Sequence, residues 1–169
     1  MKNIVLIGMP GCGKSTVGVV LAKNLAMDFV DSDLVIQRSQ GARLSELLER
    51  HGDEGFREIE NRVNSGIQAE NSIIATGGSV VYGEKAMAHL KSIGTVVYLK
   101  LSYEQIEDRL GNLHSRGVTI KPGQTLRDLY NERCPLYERW ADIVVPCEGK
   151  RLREVVLYLT GQLAGEDTV

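Results

Sequence analysis

Aromatic residues are scarce. Phe, Tyr and Trp together make up 5% of the 169 residues, with a single Trp. No basic and aromatic residues interleave in the manner that stacks and clamps nucleic acid. Long apolar runs are missing too, and none approaches the roughly 20 residues that cross a bilayer. The net charge of -2 supplies no overall field toward nucleic acid or an anionic membrane, although local basic clusters remain free to hold phosphates. Only three cysteines occur, Cys12, Cys134 and Cys147, without metal-type spacing. An odd count in a reducing compartment predicts free thiols. There is no internal repeat, low-complexity segment or linker. What remains, 43% hydrophobic and 25% charged residues, fits one globular domain over 1–169. No segment reads as an obvious interface, so a monomer is expected, with neither nucleic acid nor membrane as partner.

The N-terminal "MKNIVLIGMPGCGKS" has a basic residue and a short apolar run. The run is too short for a signal peptide and ends in a glycine-rich turn rather than a small-residue cleavage site, so a cytoplasmic location is expected. That turn is the most specific signal in the chain. Gly8-Met-Pro-Gly-Cys-Gly13-Lys14-Ser15 fits the phosphate-loop pattern G-x-x-x-x-G-K-[ST]. Gly11, Cys12 and Gly13 would turn backbone N–H groups toward phosphate oxygens, and the helix that follows adds its positive end through Ser15 and Thr16. Lys14 would reach the β- and γ-phosphates and the Ser15 hydroxyl would bind Mg²⁺. Cys12 reads as a small filler whose oxidation or alkylation would crowd the phosphates. The motif says that a nucleoside triphosphate is held; it does not say where the terminal phosphate goes.

Hydrophobic periodicity orders the rest. Asn3 to Gly8 reads as a buried parallel strand, and "STVGVVLAKNLAM" as a helix turning Val17, Val20, Leu21 and Leu25 to the sheet. "FVDSD", Phe29 to Asp33, reads as a second strand. "LSELLERHGDEGFREIENRVNSGIQA" predicts two helices broken near His51-Gly52, and "NSIIATGGS" a third strand. Glu84 to Ser92 is a helix and "GTVVYLKL" a fourth strand. Ser102 to Leu110 is a helix whose Ser102 and Gln105 fit a capping box. "GNLHSRGVTIKPGQT" reads as a loop. Leu126 to Trp140 is helical with Pro135 marking a kink or break, "DIVVP" is a fifth strand, and Leu152 to Leu163 closes the chain. This alternation predicts an α/β fold, a parallel sheet with helices on both faces.

Ligands of such sheets bind beyond the carboxyl ends of the strands, which is where the remaining polar signals fall. Asp31 and Asp33, alternating around Ser32 on an extended backbone, would point the same way. One would hold Mg²⁺ through water and the other accept a proton from an attacking hydroxyl; the competing reading is a helix N-cap. Arg57, flanked by Glu58 and Glu60, reads equally as a surface salt bridge. Gly77 and Gly78 allow a ligand close to the backbone or make a plain turn. Arg116 and Arg133 are further cations suited to a transferring phosphoryl group or an anionic acceptor.

In order and spacing, "GMPGCGKST", "DSD", "GDEGFREIE", "ATGGS", Arg116 and "NERCPLYERWAD" resemble the shikimate kinases, in the nucleoside-monophosphate-kinase-like branch of phosphate-loop proteins. The resemblance runs from about Asn3 to Leu163. It implies a five-stranded parallel sheet in the order 2-3-1-4-5, substrate-binding helices over about 34–62 and a lid over about 111–125. It implies ATP-dependent phosphorylation, with Mg²⁺, of the 3-hydroxyl of shikimate in aromatic amino-acid biosynthesis. By similarity Asp33 would meet the substrate hydroxyls as the base, and Arg57 and Arg133 would hold the carboxylate, with Gly77 and Gly78 offering backbone. Asp31 would sit near Mg²⁺, Lys14 and Arg116 at the transferring phosphoryl group, and Arg109 near the adenine. Two features depart from the family. Ser79 stands where a third glycine is usual, and "GVTIKPGQTL" follows Arg116 in place of Pro-Leu-Leu. A kinase of another small hydroxylated acid, such as gluconate or homoserine, a nucleotide kinase and a low-turnover nucleotide-dependent switch are the rival expectations. No N-K-x-D motif supports a GTPase, and no base-reading pocket for a nucleotide acceptor is legible.

Overall fold

The computed structural model describes residues 2–110 and 121–166, with side chains as far as residue 164. Five strands, β1 (Asn3–Ile7), β2 (Asp28–Asp31), β3 (Ser72–Ala75), β4 (Gly94–Lys100) and β5 (Ile143–Pro146), form one parallel sheet in the order β2-β3-β1-β4-β5. Around it lie α1 (Lys14–Leu25), α2 (Ser32–Gln40), α3 (Leu44–Asn64), α4 (Glu84–Ile93), α5 (Tyr103–Leu110), α6 (Leu126–Trp140) and α7 (Leu152–Glu166), with a 3₁₀ turn at Val80–Tyr82. The predicted fold class and strand order are both found. Among the described residues no helix is long and apolar enough to cross a membrane.

Burial explains the composition of the strands. Every residue of β1 and β3 is buried, whereas the edge strands β2 and β5 are only partly covered. Helices close both faces of the inner strands, so these read as unbroken apolar runs rather than alternations. Leu6 of β1 and Asp31 of β2 both lie opposite Ala75 of β3. The three strands therefore end level, and the segments that follow them open onto one edge of the sheet.

The helices differ from expectation in four places. The second strand stops at Asp31, because the Asp31 carboxylate accepts from the backbone N–H groups of Asp33 and Leu34 and starts α2 there. The buried stripe of α1 is Val17, Gly18, Leu21 and Ala22, while Val20 and Leu25 are only partly covered. A Cβ on Gly18 would lie 2.7 Å from the Phe29 ring and 3.3 Å from Leu6, so the helix sits closer to the sheet along that line. Pro135 does not break α6, which continues to Trp140. The missing N–H costs one helical hydrogen bond, and buried Leu126, Leu129, Arg133 and Tyr137 hold the helix on either side. At α5 the Ser102 hydroxyl accepts from Gln105 N–H at 3.4 Å, but Gln105 Oε1 is buried without a partner, so only half of the capping box forms.

The helices expected over about 34–62 are α2 and α3. The predicted break is there: Gly52 has φ 66° and ψ -177°, which interrupts the helical backbone within α3. This pair carries its own small core of Ile36, Leu47, Phe56 and Ile59, separate from the main core around the sheet.

Candidate active site

β1 runs straight into the phosphate loop, and α1 begins at Lys14 with Gly13 as its N-cap at φ 97° and ψ 17°. That left-handed conformation is open to glycine at little cost and strained for most other residues. Lys14 is buried to 8% exposure, and its Nζ donates to the carbonyls of Gly8 at 2.8 Å and Met9 at 3.0 Å. The loop thus holds its own ammonium in place. A triphosphate entering the loop offers oxygens that replace these carbonyls as acceptors. Cys12 is buried, and its Sγ lies 3.7 Å from Lys14 Nζ, so it fills the loop as expected.

A cavity of ≈ 440 Å³ opens beside the loop. Gly11, Gly13, Lys14, Ser15 and Thr16 of the loop line it together with Asp33, Glu60, Gly77, Gly78, Ser79 and Arg133. Leu44, Leu48 and Phe56 of α3 supply an apolar wall. Asp33 lies in the first turn of α2, not on an extended strand, and only Asp33 of the acidic pair lines the cavity. Asp31 instead spends Oδ1 on the helix cap.

Two carboxylates face each other across Gly77. A Cβ on Gly77 would lie 2.9 Å from both Asp33 Oδ1 and Glu60 Oε2, so no larger residue fits without displacing them. Burial pushes the Asp33 carboxyl above its ordinary range, and the Asp31 charge adds to that, while Lys14 opposes it. Glu60 is 2% exposed and is pushed up to about 7 by burial. The hydrogen bond from Ser79 works against that rise, Asp33 adds to it, and Arg133 and Arg57 lower it. Ser79 Oγ donates to Glu60 Oε1 at 2.6 Å. Ser79 therefore adds a hydrogen bond inside the site. Glu60, read from sequence as a surface partner of Arg57, is a buried group of the cavity.

Arg133 and Tyr137 lie one turn apart on α6. Tyr137 is fully buried, and its hydroxyl donates to Gly78 O at 2.6 Å, which ties α6 to the turn after β3. Arg133 is 3% exposed, and its Nε is buried without a hydrogen-bond partner. A guanidinium left that way against a polar cavity is poised for an anion. Arg57 does not line the cavity; its guanidinium carbon sits 3.8 Å over the centre of the Tyr82 ring. Among the described residues neither arginine forms an ion pair, so the surface salt bridge does not form. The sequence reading missed Glu60, Tyr82 and Tyr137. No local spacing marks the two tyrosines, and for Glu60 only its place on the apolar side of α3 beside Ile59 could have hinted at burial.

Arg109 lies on the other side of the loop, where its Nη1 donates to Gly11 O at 3.3 Å. With Cys12, Gly13, Thr16, Cys147 and Lys150 it lines a second cavity of ≈ 180 Å³. Cys147 and Lys150 were not legible as site residues. Arg116 and residues 111–120 of the expected lid lie outside the described residues. Among the described residues no three His, Cys, Asp or Glu side chains form a protein-only metal cage. Mg²⁺ needs none, since it keeps waters and substrate phosphates and takes one or two protein oxygens. Ser15 on the cavity wall fits that pattern, and the Asp31 carboxylate, though outside the cavity lining, is close enough to act on Asp33.

The family model for shikimate kinase matches residues 10–164. A shikimate kinase of Thermodesulfovibrio yellowstonii is 39% identical over 158 residues, covering 92% of this chain and 91% of its own. One of Francisella tularensis subsp. holarctica is 40% identical over 169 residues, covering 98% and 96%. Among solved structures, the shikimate kinase of Acinetobacter baumannii in complex with shikimate superposes with a TM-score of 0.87 at 32% identity, over 100% of this chain and 96% of that one. Phosphate loop, sheet order and matched span agree, and the chain belongs to the shikimate kinase family.

Proposed function

We propose that this protein transfers the γ-phosphoryl group of ATP to the 3-hydroxyl of shikimate. One observation carries the reading. One cavity is lined both by the phosphate loop and by Asp33, Glu60 and buried Arg133, so donor and acceptor can meet there. Family membership and the likeness to a shikimate complex support it.

In this reading Gly11, Cys12, Gly13, Lys14, Ser15 and Thr16 hold the triphosphate, and Arg109 lies along the nucleoside end. Lys14 offsets charge on the transferring oxygens. Asp33 orients the acceptor hydroxyl and takes its proton, and a carboxyl raised by burial is better suited to that task near neutral pH. Arg133, with Arg57, receives the carboxylate, where a guanidinium fork matches a planar anion. Gly77 and Gly78 let the ring approach the backbone. Ser15 and Asp31 would hold Mg²⁺, which when bound neutralises phosphate charge. We further propose that the enzyme works as a cytoplasmic monomer without nucleic-acid or membrane partners; the net charge of -2 and the scarcity of aromatics support the last part of this.

The test is ADP release with Mg-ATP against shikimate, gluconate, homoserine, nucleoside monophosphates and no acceptor. Release that depends on shikimate alone is expected. Release with another acid would keep the ATP site and overturn the acceptor, and tight ATP binding without acceptor-dependent release would favour a switch.

A further inference from the structure

Tyr82 stands outside every motif of the chain, yet both acceptor-side arginines converge on it. The Arg57 guanidinium carbon lies 3.8 Å from the ring centre and that of Arg133 lies 5.5 Å from it. The ring is itself anchored, because its hydroxyl donates to Glu132 Oε1 at 2.7 Å. Glu132 Oε2 in turn accepts from Gln124 Nε2 at 3.0 Å, so the carboxylate is held from both sides. Donating to a carboxylate leaves the ring richer in electrons, which strengthens its attraction for a cation over its face. Burial and the Glu132 bond both hold the Tyr82 hydroxyl in its protonated, donating form.

Two guanidinium groups side by side repel each other, and although the charges of Glu60 and Glu132 act on them across a gap, neither acid pairs with them directly. No ion pair to either is present among the described residues. An aromatic face offsets that repulsion without neutralising the charges, which a carboxylate partner would do. The arginines thus remain available to an anionic ligand while their rotamers are restricted.

We propose that Tyr82 is a positioning residue that orders Arg57 and Arg133 as a receptor for the carboxylate of the acceptor, a role that rests on the acceptor reading above. Tyr82 does not line the cavity beside the phosphate loop, so its effect falls on acceptor binding and not on ATP.

The variants Tyr82→Phe and Tyr82→Leu separate the two parts of the device. Phe keeps the aromatic face and loses the hydroxyl's contacts with Glu132 and Arg133; Leu loses the face as well. Tyr82→Leu is expected to raise KM for shikimate about ten-fold, with KM for ATP unchanged and kcat within about two-fold, and Tyr82→Phe to recover most of the loss. An independent reading comes from NMR of the arginine Nε–H signals in the acceptor-free protein, with Arg57 assigned through Arg57→Lys. The ring current of Tyr82 should move the Arg57 signal upfield in wild type and Tyr82→Phe, and the shift should vanish in Tyr82→Leu. An unchanged KM for shikimate in Tyr82→Leu, or an equal rise in KM for ATP, would overturn the proposal. Should the wild type not turn over shikimate at all, the acceptor reading falls, and the Arg57 signal still decides whether Tyr82 orders the arginine.

Discussion

Ser79 Oγ donates a 2.6 Å hydrogen bond to Glu60 Oε1. The bond favours the ionised form of a carboxylate that burial otherwise drives toward its protonated form. Arg57 and Arg133 act in the same direction as Ser79, and Asp33 acts against it. Ser79 thus adjusts the charge of the acceptor side of the cavity without reaching the phosphate loop.

Removing that hydroxyl should move the titration. Glu60 is pushed up to about 7, so its ionisation falls within the working pH range. Ser79→Ala should shift the corresponding midpoint in the pH profile of kcat/KM for shikimate upward by about one pH unit, the worth of one hydrogen bond to a charged group. A profile that superposes on wild type would show that Glu60 ionisation does not govern acceptor capture.

The same carboxyl should leave a mark on stability. A group raised from 4.5 to about 7 binds more protons in the folded state, so its favourable contribution is complete below pH 4.5 and is lost as pH rises through 7. Glu60→Gln, which can still accept from Ser79, should gain stability over wild type at pH 8 by on the order of 3 kcal/mol at most, with little difference near pH 4. Urea unfolding at both pH values measures this, and equal differences at the two would contradict it.

Asp33→Asn keeps the shape of the side chain and removes its basicity. Turnover with shikimate should drop by about 100-fold or more, the usual contribution of a positioned base. ATP affinity, read by calorimetry without acceptor, should stay within about two-fold of wild type, since the phosphate loop is untouched. Unchanged turnover would remove Asp33 as the base.

Gly77→Ala probes the space between the carboxylates. The new methyl group would meet Asp33 Oδ1 and Glu60 Oε2 at 2.9 Å each. Gly77 does not lie at positive φ, so the effect should fall on the site and not on the backbone. We expect kcat/KM for shikimate to decline by about ten-fold or more, since misplacing reacting groups by an ångström can cost about 100-fold. Thermal unfolding should change by only a few degrees. Full activity would mean that the two carboxylates move aside without consequence.

Most of the fold was legible because the signals were local. The apolar runs of β1, β3 and β4, the glycine-rich loop before α1 and the break at Gly52 each declare themselves within a few residues. The end of β2 was misplaced for a local reason as well: the Asp31 side chain caps α2, so Ser32 and Asp33 belong to that helix and not to the strand. Pro135 was expected to kink or break α6 because helix propensity counts the lost hydrogen bond and not the buried neighbours that hold the helix together. Glu60, Ser79 and Tyr82 become a site only when α3, the turn after β3 and α6 are packed side by side. Such non-local meetings leave no spacing to read.

The interruption at Gly52 separates the two jobs of α3. Leu44 and Leu48, before it, make most of the apolar wall that Phe56 completes, whereas Arg57 and Glu60, after it, carry the charged contacts described above. In an unbroken helix each inserted residue would swing everything beyond it by about 100°. Here the non-helical joint uncouples the two registers. A residue inserted in the first half would therefore reshape the apolar wall without rotating the charged half.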